Sequence, residues 1–146
     1  MSERPSLPAE LAVIIPTRNE RENVAKLVER LQVVLAGIAW EAVFVDDDSS
    51  DGTAQEVRAI AARDPRVRCL SRIGRRGLSS ACIEGWASVS APYLAVMDAD
   101  LQHDETLLPS MLGRLRGGEC DVVVGSRYVA GGSVGEWGAF RRMVSR

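Results

Sequence analysis

The chain has 146 residues, enough to bury one hydrophobic core and too few for two independent domains. Hydrophobic residues make up 46% and charged residues 26%, as in an ordinary globular protein, and the net charge of −2 argues against nucleic acid as a partner. No segment approaches the roughly 20 apolar residues of a membrane helix, and residues 1–10 lack the apolar core of a signal peptide. We expect a cytoplasmic chain with an N-terminal tail at residues 1–10 and one domain at residues 11–146.

The cysteines are consistent with a reducing compartment. Cys69, Cys82 and Cys120 are odd in number and form no C-x-x-C pair. The sequence therefore predicts three buried free thiols rather than disulfides or a metal site.

Five short apolar segments alternate with amphipathic helical patterns along the chain. The predicted strands are residues 11–15, 42–45, 67–70, 93–97 and 121–124, the first of them ended by Pro16. The helix patterns follow the first four strands, and each presents apolar residues at helical spacing. Asn19 with Glu22 predicts a capping box for the first helix. Asp51 and Thr53 are alternative caps for the second.

This alternation predicts the fold class. Near-continuous apolar strands joined by helices indicate an α/β domain with a mainly parallel sheet and helices on both faces. In such sheets ligands bind at the carboxyl ends of the strands, so the residues directly after each strand are the candidates for function.

Two carboxylates follow the fourth predicted strand. Asp98 and Asp100 are separated by one residue and can turn toward the same cation, with Gln102, and less firmly His103, close behind. Oxygen ligands of this kind suit Mg²⁺ or Mn²⁺, whose remaining positions are filled by substrate phosphates and water. The alternative is a solvated acidic turn or a helix cap at Asp98.

Further polar residues follow the first and second strands. Asp47 and Asp46 stand where packing does not require carboxylates, and either can accept hydrogen bonds from a base or ribose. Arg18 and Glu20 would lie beside the same nucleotide. A strand stop and a turn are the structural alternatives for these segments.

Arginines supply candidate phosphate ligands. Arg127 follows the fifth predicted strand and Arg141 lies further along, and a guanidinium matches phosphate oxygens in a bidentate fork. Simple surface charge is the alternative for Arg141. Arg72, Arg75 and Arg76 are expected to be solvated.

Five segments in this order and spacing resemble glycosyltransferase family 2, and within it the dolichyl-phosphate (polyprenol-phosphate) mannosyltransferases. The segments are residues 13–20, 45–53, 77–81, 97–103 and 125–128. The resemblance implies a nucleotide-binding fold of the GT-A type, a nucleotide-sugar donor that is GDP-mannose or, alternatively, UDP-glucose or another UDP-sugar, and a divalent metal. It also implies a polyprenyl-phosphate acceptor and transfer of a hexose with inversion.

The resemblance assigns roles to individual positions. The residues that would contact the nucleotide are Pro16, Arg18, Glu20, Val45 and Asp47, although position 18 is usually Tyr in this motif. Asp98, Asp100 and Gln102 match the metal positions, with Ala99 beside the donor. Arg127 and Arg141 match phosphate-contacting arginines, and Asp98, Asp100 and Arg127 form the expected catalytic set. Trp137 and Phe140 fall in the segment that runs toward the acceptor in relatives.

Members of this family continue beyond the point where this chain stops. We therefore expect a domain that is incomplete at its C-terminus, working at the cytosolic face of a membrane as a homo-oligomer or with a membrane-anchored partner chain. A truncated, inactive nucleotide-sugar-binding or interaction module is the main alternative. A dinucleotide-binding oxidoreductase would need G-x-G-x-x-G after the first strand, where residues 16–19 read Pro-Thr-Arg-Asn.

Overall fold

A computed structural model describes residues 8–126 of the chain. The strands are β1 Leu11–Thr17, β2 Trp40–Asp46, β3 Val67–Ser71 and β4 Tyr93–Val96. The helices are α1 Arg21–Val34, α2 Thr53–Ala61, α3 Leu78–Ala87 and α4 Leu108–Arg116, with a 3₁₀ turn at Glu105–Leu107. The first four predicted strands and the four predicted helices are thus all present in the described residues.

The four strands form one parallel sheet in the order β3-β2-β1-β4. The chain builds outward from β1 to β3 and then crosses back to place β4 on the other side of β1. The order therefore reverses between β1 and β4, and a crevice for ligands is expected at such a reversal, beyond the carboxyl ends of the strands. These ends carry the candidate residues.

Helices cover both faces of the sheet, as the sequence predicts. On one face α1, α2 and α4 pack on alternate strand residues, including Val13, Ile15 and Phe44. On the other face α3 packs on Ile14 and Val45 through Ala81. Alternate residues of β1 and β2 thus face two separate cores, which explains why residues 11–16 and 42–45 are apolar without interruption.

Beyond α3, no element within residues 8–126 covers the second face at β4. Leu94 and Val96 pair in register with Ala12 and Ile14 and so share their face, yet each is 43% exposed. The expected burial on both faces therefore holds for β1 and β2 but not for β4.

Pro16 does not end β1, contrary to the prediction. The strand continues to Thr17, whose carbonyl accepts the N–H of Asp47 (3.0 Å) on the β2 side. On the β4 side the last hydrogen bond runs from the N–H of Met97 to the carbonyl of Ile14 (3.1 Å). By the alternation of a parallel strand, Pro16 faces β4, where it has no N–H to give. The proline therefore ends the hydrogen bonding of β1 with β4 and leaves that of β1 with β2 intact.

The predicted fifth strand, residues 121–124, is wrong for the described structure. This segment is irregular, and Val122 and Val124 are 75% and 78% exposed. A strand needs a neighbour for its backbone N–H and C=O groups, and these residues pair with none in the described range. An apolar run in the sequence does not show whether a neighbouring strand is there to pair with it.

The capping box predicted for α1 is also wrong. Asn19 has a left-handed backbone (φ 56°), and the helix begins at Arg21 after Glu20. The N–H of Arg21 donates instead to the carboxylate of Asp51 (3.1 Å), which belongs to the loop after β2. Asp51 also accepts the first N–H of α2, from Thr53 (2.9 Å), so that of the two alternative caps Asp51 serves this role. One carboxylate thus stabilises two helix N-termini, where a negative charge is favoured.

Candidate functional site

The loops after β1 and β2 are joined by hydrogen bonds at the carboxyl edge of the sheet. The N–H of Asn19 donates to the hydroxyl of Ser49 (2.9 Å), and the N–H of Ser50 donates to the side-chain oxygen of Asn19 (3.0 Å). The N–H of Glu20 donates to the hydroxyl of Thr53 (3.0 Å). The backbone that carries Glu20 is therefore fixed against the loop that carries Asp47.

The two carboxylates at the end of β2 have different surroundings. Asp46 is 2% exposed and accepts the N–H of Ser49 (3.1 Å), so its carboxylate stabilises the turn after β2. Asp47 is 8% exposed and accepts one hydrogen bond from Arg72 (2.9 Å) and one from the N–H of Gly77 (2.8 Å). Asp47 is thus held by the loop after β3, at the rim of the sheet.

The expectation that Arg72 is solvated is wrong. Arg72 is 4% exposed, because the buried carboxylate of Asp47 needs a cation and Arg72 follows the neighbouring strand. Arg75 forms an ion pair with Glu84 at the surface, and Arg76 is exposed, as expected. Spacing along the sequence gives no sign that one arginine of the three turns inward.

The loop after β4 is organised around Asp98. Its N–H donates to Nδ1 of His103 (3.1 Å), so the neutral ring carries its proton on Nε2, which lies 3.5 Å from Oδ2 of Asp98. Asp100 is exposed, and its Oδ1 accepts the N–H of Gln102 (3.0 Å). The intervening Leu101 has a left-handed backbone (φ 61°), which makes this a tight turn.

The donor set of this loop fits a hard divalent cation. Asp98, Asp100 and Gln102 offer two carboxylates and an amide oxygen, which are ligands that Mg²⁺ and Mn²⁺ accept. No group of three or more His, Cys, Asp or Glu side chains that could hold a metal is found within residues 8–126. The loop alone therefore provides at most part of a coordination sphere, as for ions that also bind substrate phosphates.

An open cleft of about 500 Å³ lies at the N-terminus of α1. It is lined by residues 19–23 together with Ser50 and Asp51. Glu20 lines this cleft, whereas Asp47, Asp98 and Asp100 do not. The structure thus places Glu20 in this cleft and the three aspartates outside it, along the same edge of the sheet.

Two predicted nucleotide contacts have little side-chain surface to offer. Val45 is fully buried, and Ala99 is 2% exposed. A ligand would meet their backbone rather than their side chains. Pro16 is half-buried and Arg18 is exposed, so both have side-chain atoms at the surface of this edge. Arg127, Arg141, Trp137 and Phe140 lie outside the described residues.

The cysteines are free, and of the three only Cys82 is buried. Burial raises the pKa of its thiol, and the negative charge of Asp98 raises it further. Burial also raises the pKa of Cys69. Both thiols are therefore protonated at neutral pH and unsuited to act as nucleophiles.

Comparison with known proteins identifies the family of this chain. The family model "Glycosyl transferase family 2" matches residues 12–145, and the chain belongs to that family. The chain is similar to a dolichol-phosphate mannosyltransferase from Pyrococcus furiosus (41% identity over 136 residues, 93% of this chain and 38% of the relative). A second relative of that description, from Saccharomyces cerevisiae, is 36% identical over 143 residues (93% of this chain and 52% of the relative). The chain thus spans between about two fifths and half of these curated relatives.

Solved structures agree on the fold, which is of the GT-A type. A mannosyltransferase from Pyrobaculum calidifontis in complex with GDP-Man and Mn²⁺ has a TM-score of 0.58 at 23% identity, over 75% of this chain and 32% of that one. Glucosyl-3-phosphoglycerate synthase from Mycobacterium tuberculosis, in complex with Mn²⁺, UDP-glucose and glycerol 3-phosphate, has a TM-score of 0.60 at 26% identity, over 76% of this chain and 41% of that one. Among residues 8–126, no helix is long and apolar enough to cross a membrane.

Proposed function

We propose that this chain forms the donor-binding part of a metal-dependent hexosyltransferase that moves mannose from GDP-mannose to a polyprenyl or dolichyl phosphate. The observation that carries the proposal is the placement of Asp47 and of Asp98 with Asp100 after β2 and β4, which flank β1. Neighbouring strands lie about 4.8 Å apart, so β2 and β4, which lie on either side of β1, are about 10 Å apart. That span suits a nucleoside diphosphate, with its base or ribose at Asp47 and its phosphates at Asp98 and Asp100.

Some of these residues would bind the nucleotide, and others would offset the negative charge of its phosphates. Asp47 accepts hydrogen bonds from the base or ribose, and Glu20 and Arg18 border the nucleotide from the loop after β1. A divalent cation held by Asp98, Asp100 and Gln102 would supply positive charge opposite the departing diphosphate. Arg127 and Arg141 would contribute further positive charge toward the phosphates of donor or acceptor.

The acceptor explains why no strong general base is required. A lipid phosphate is already anionic and can attack the anomeric carbon directly, with inversion. His103 is the sole histidine of the sequence, and its Nδ1 accepts the N–H of Asp98. One nitrogen of the ring is therefore already engaged in the turn after β4.

Donor choice is the first property to test. We expect the purified chain, titrated calorimetrically in the presence of Mn²⁺, to bind GDP and GDP-mannose more tightly than UDP-glucose. NAD serves as the control for a dinucleotide-binding domain. Binding of none of the four nucleotides, or of NAD alone, would contradict the proposal.

A UDP-sugar donor is the second candidate, because the 26% identical synthase was solved with UDP-glucose. A clear preference for UDP-glucose over GDP-mannose in the same titration would favour it. An inactive binding module would bind the donor equally well, so it is distinguished by transfer. Under the proposal, radiolabelled mannose passes from GDP-mannose to a short-chain polyprenyl phosphate and becomes extractable into organic solvent.

A further inference from the structure

Arg72 is the most deeply buried arginine among the described residues, and it lies directly after β3. Its N–H donates to the carbonyl of Asp46 (2.9 Å), which continues the hydrogen bonding of β3 with β2 one residue beyond the strand. The backbone is therefore fixed next to the end of β2, and the side chain starts beside Asp47. A buried guanidinium is costly unless it is paired, so each of its contacts matters.

The guanidinium contacts groups on two elements besides its own. Nη1 donates to Oδ1 of Asp47 (2.9 Å) and to the carbonyl of Gly77 (3.1 Å), and Nη2 donates to the hydroxyl of Ser80 (2.6 Å). Nε lies 3.5 Å from Oε1 of Glu84 without a hydrogen bond, and it is the buried side-chain polar atom left unsatisfied within residues 8–126. Arg72 thus links the end of β2 to the start of α3.

These contacts determine the orientation of Asp47. One of its oxygens accepts from Arg72, and the other accepts the N–H of Gly77 (2.8 Å), whose own carbonyl accepts from Arg72. The carboxylate is therefore held from both ends of the loop after β3. Each oxygen keeps a second lone pair for a ligand, and an ionised carboxylate can only accept.

We propose that Arg72 is a positioning residue for nucleotide recognition, which holds Asp47 so that its free lone pairs meet donor groups of the base or ribose. The inference rests on the proposed function, since it gives Asp47 a ligand. Arg72 acts through Asp47 and does not itself touch the nucleotide, because its side chain is buried and its exposed fraction is only 4%. A lysine has no planar fork and cannot make these contacts together.

A double-mutant cycle on GDP binding tests this role. We expect Asp47→Asn and Arg72→Met each to weaken GDP binding in the presence of Mn²⁺ by about 10- to 100-fold, as for loss of a hydrogen bond to a charged group. The double variant should bind no more weakly than the weaker of the two single variants, because both changes remove the same contact. Arg75→Met is the matched control, since Arg75 also pairs with Glu84 but is exposed, and it should stay within about twofold of wild type.

Two further variants address folding. Ser80→Ala removes one acceptor of Arg72 without leaving a charge unpaired, and Arg72→Lys retains the charge without the fork. Both keep a positive charge beside Asp47, so both should still fold with a cooperative melting transition below that of wild type while binding GDP more weakly, with Ser80→Ala the milder. Arg72 variants that bind like wild type, or losses that multiply in the double variant, would overturn the inference. If the wild-type chain itself binds no nucleotide, the proposed function fails first and the inference fails with it.

Discussion

At the scale of single residues, α3 approaches the sheet too closely at Gly85 to leave room for a side chain. A Cβ placed there would lie 2.4 Å from Cγ2 of Ile14 and 3.1 Å from Cγ2 of Val45, closer than atoms pack. Gly85→Ala should therefore push α3 off the sheet and lower the free energy of unfolding by about 1–3 kcal/mol. Urea unfolding measures this loss.

Gly113 provides the matched control for that substitution. It lies within α4 with open space around the position that a Cβ would take, so Gly113→Ala should be neutral or stabilise by up to about 1 kcal/mol. Equal losses at the two positions would contradict the assigned packing of α3.

The carboxylate of Asp64 makes the free energy of unfolding depend on pH. Hydrogen bonds from the Arg66 side chain lower the pKa of Asp64, with further bonds from the Arg66 N–H and from Gln32. A carboxylate with a lowered folded-state pKa contributes stability above its unfolded value of about 3.9, and loses it as the pH falls through the folded value. Asp64→Asn should therefore be less stable than wild type at pH 7, and the gap should narrow below pH 4.

Urea unfolding at pH 7 and pH 3 measures that gap. A difference between wild type and Asp64→Asn that stays the same at both pH values would mean that the ion pair with Arg66 does not form in solution.

At the scale of the elements, one of the hydrogen bonds that link the loops after β1 and β2 ends on a buried hydroxyl. Thr53 is fully buried and accepts the N–H of Glu20 (3.0 Å). Thr53→Val keeps the shape but leaves that N–H without its partner, which should cost about 1–3 kcal/mol. The cost is read from chemical denaturation.

Thr106 is the control for this substitution. Its hydroxyl donates a hydrogen bond to the carboxylate of Asp104, but the residue is exposed. Thr106→Val should change the free energy of unfolding by less than about 0.5 kcal/mol. A loss at Thr53 no larger than at Thr106 would argue against a rigid connection between the two loops.

The sequence predicted the elements that local pattern can specify. Strands β1 to β4 and their helices follow from apolar runs and helical spacing, because both report burial directly. The errors at Pro16, Asn19 and residues 121–124 share one cause. Whether a proline interrupts pairing, whether a helix is capped from another loop, and whether an apolar run finds a neighbouring strand all depend on partners distant along the chain.

At the scale of the whole molecule, the sequence predicted which strand ends carry the candidate residues, but not the contacts that those residues make. The strand-end rule places Asp47, Asp98 and Asp100 at one edge, and the parallel sheet puts the strands that carry them there. It could not show that Arg72 is buried against Asp47, since burial of one arginine among three neighbours is decided by tertiary packing. Nor could it show that His103 accepts the N–H of Asp98.

The proposed donor site requires that metal and nucleotide bind together. The most direct measurement is the affinity of the chain for GDP with and without Mn²⁺, for wild type and for Asp98→Ala. We expect Mn²⁺ to tighten GDP binding to the wild type by at least about tenfold, a coupling of about 1.4 kcal/mol, and to have little effect on the variant. GDP binding that is equally tight with and without Mn²⁺, or a Mn²⁺ effect that survives in Asp98→Ala, would contradict it.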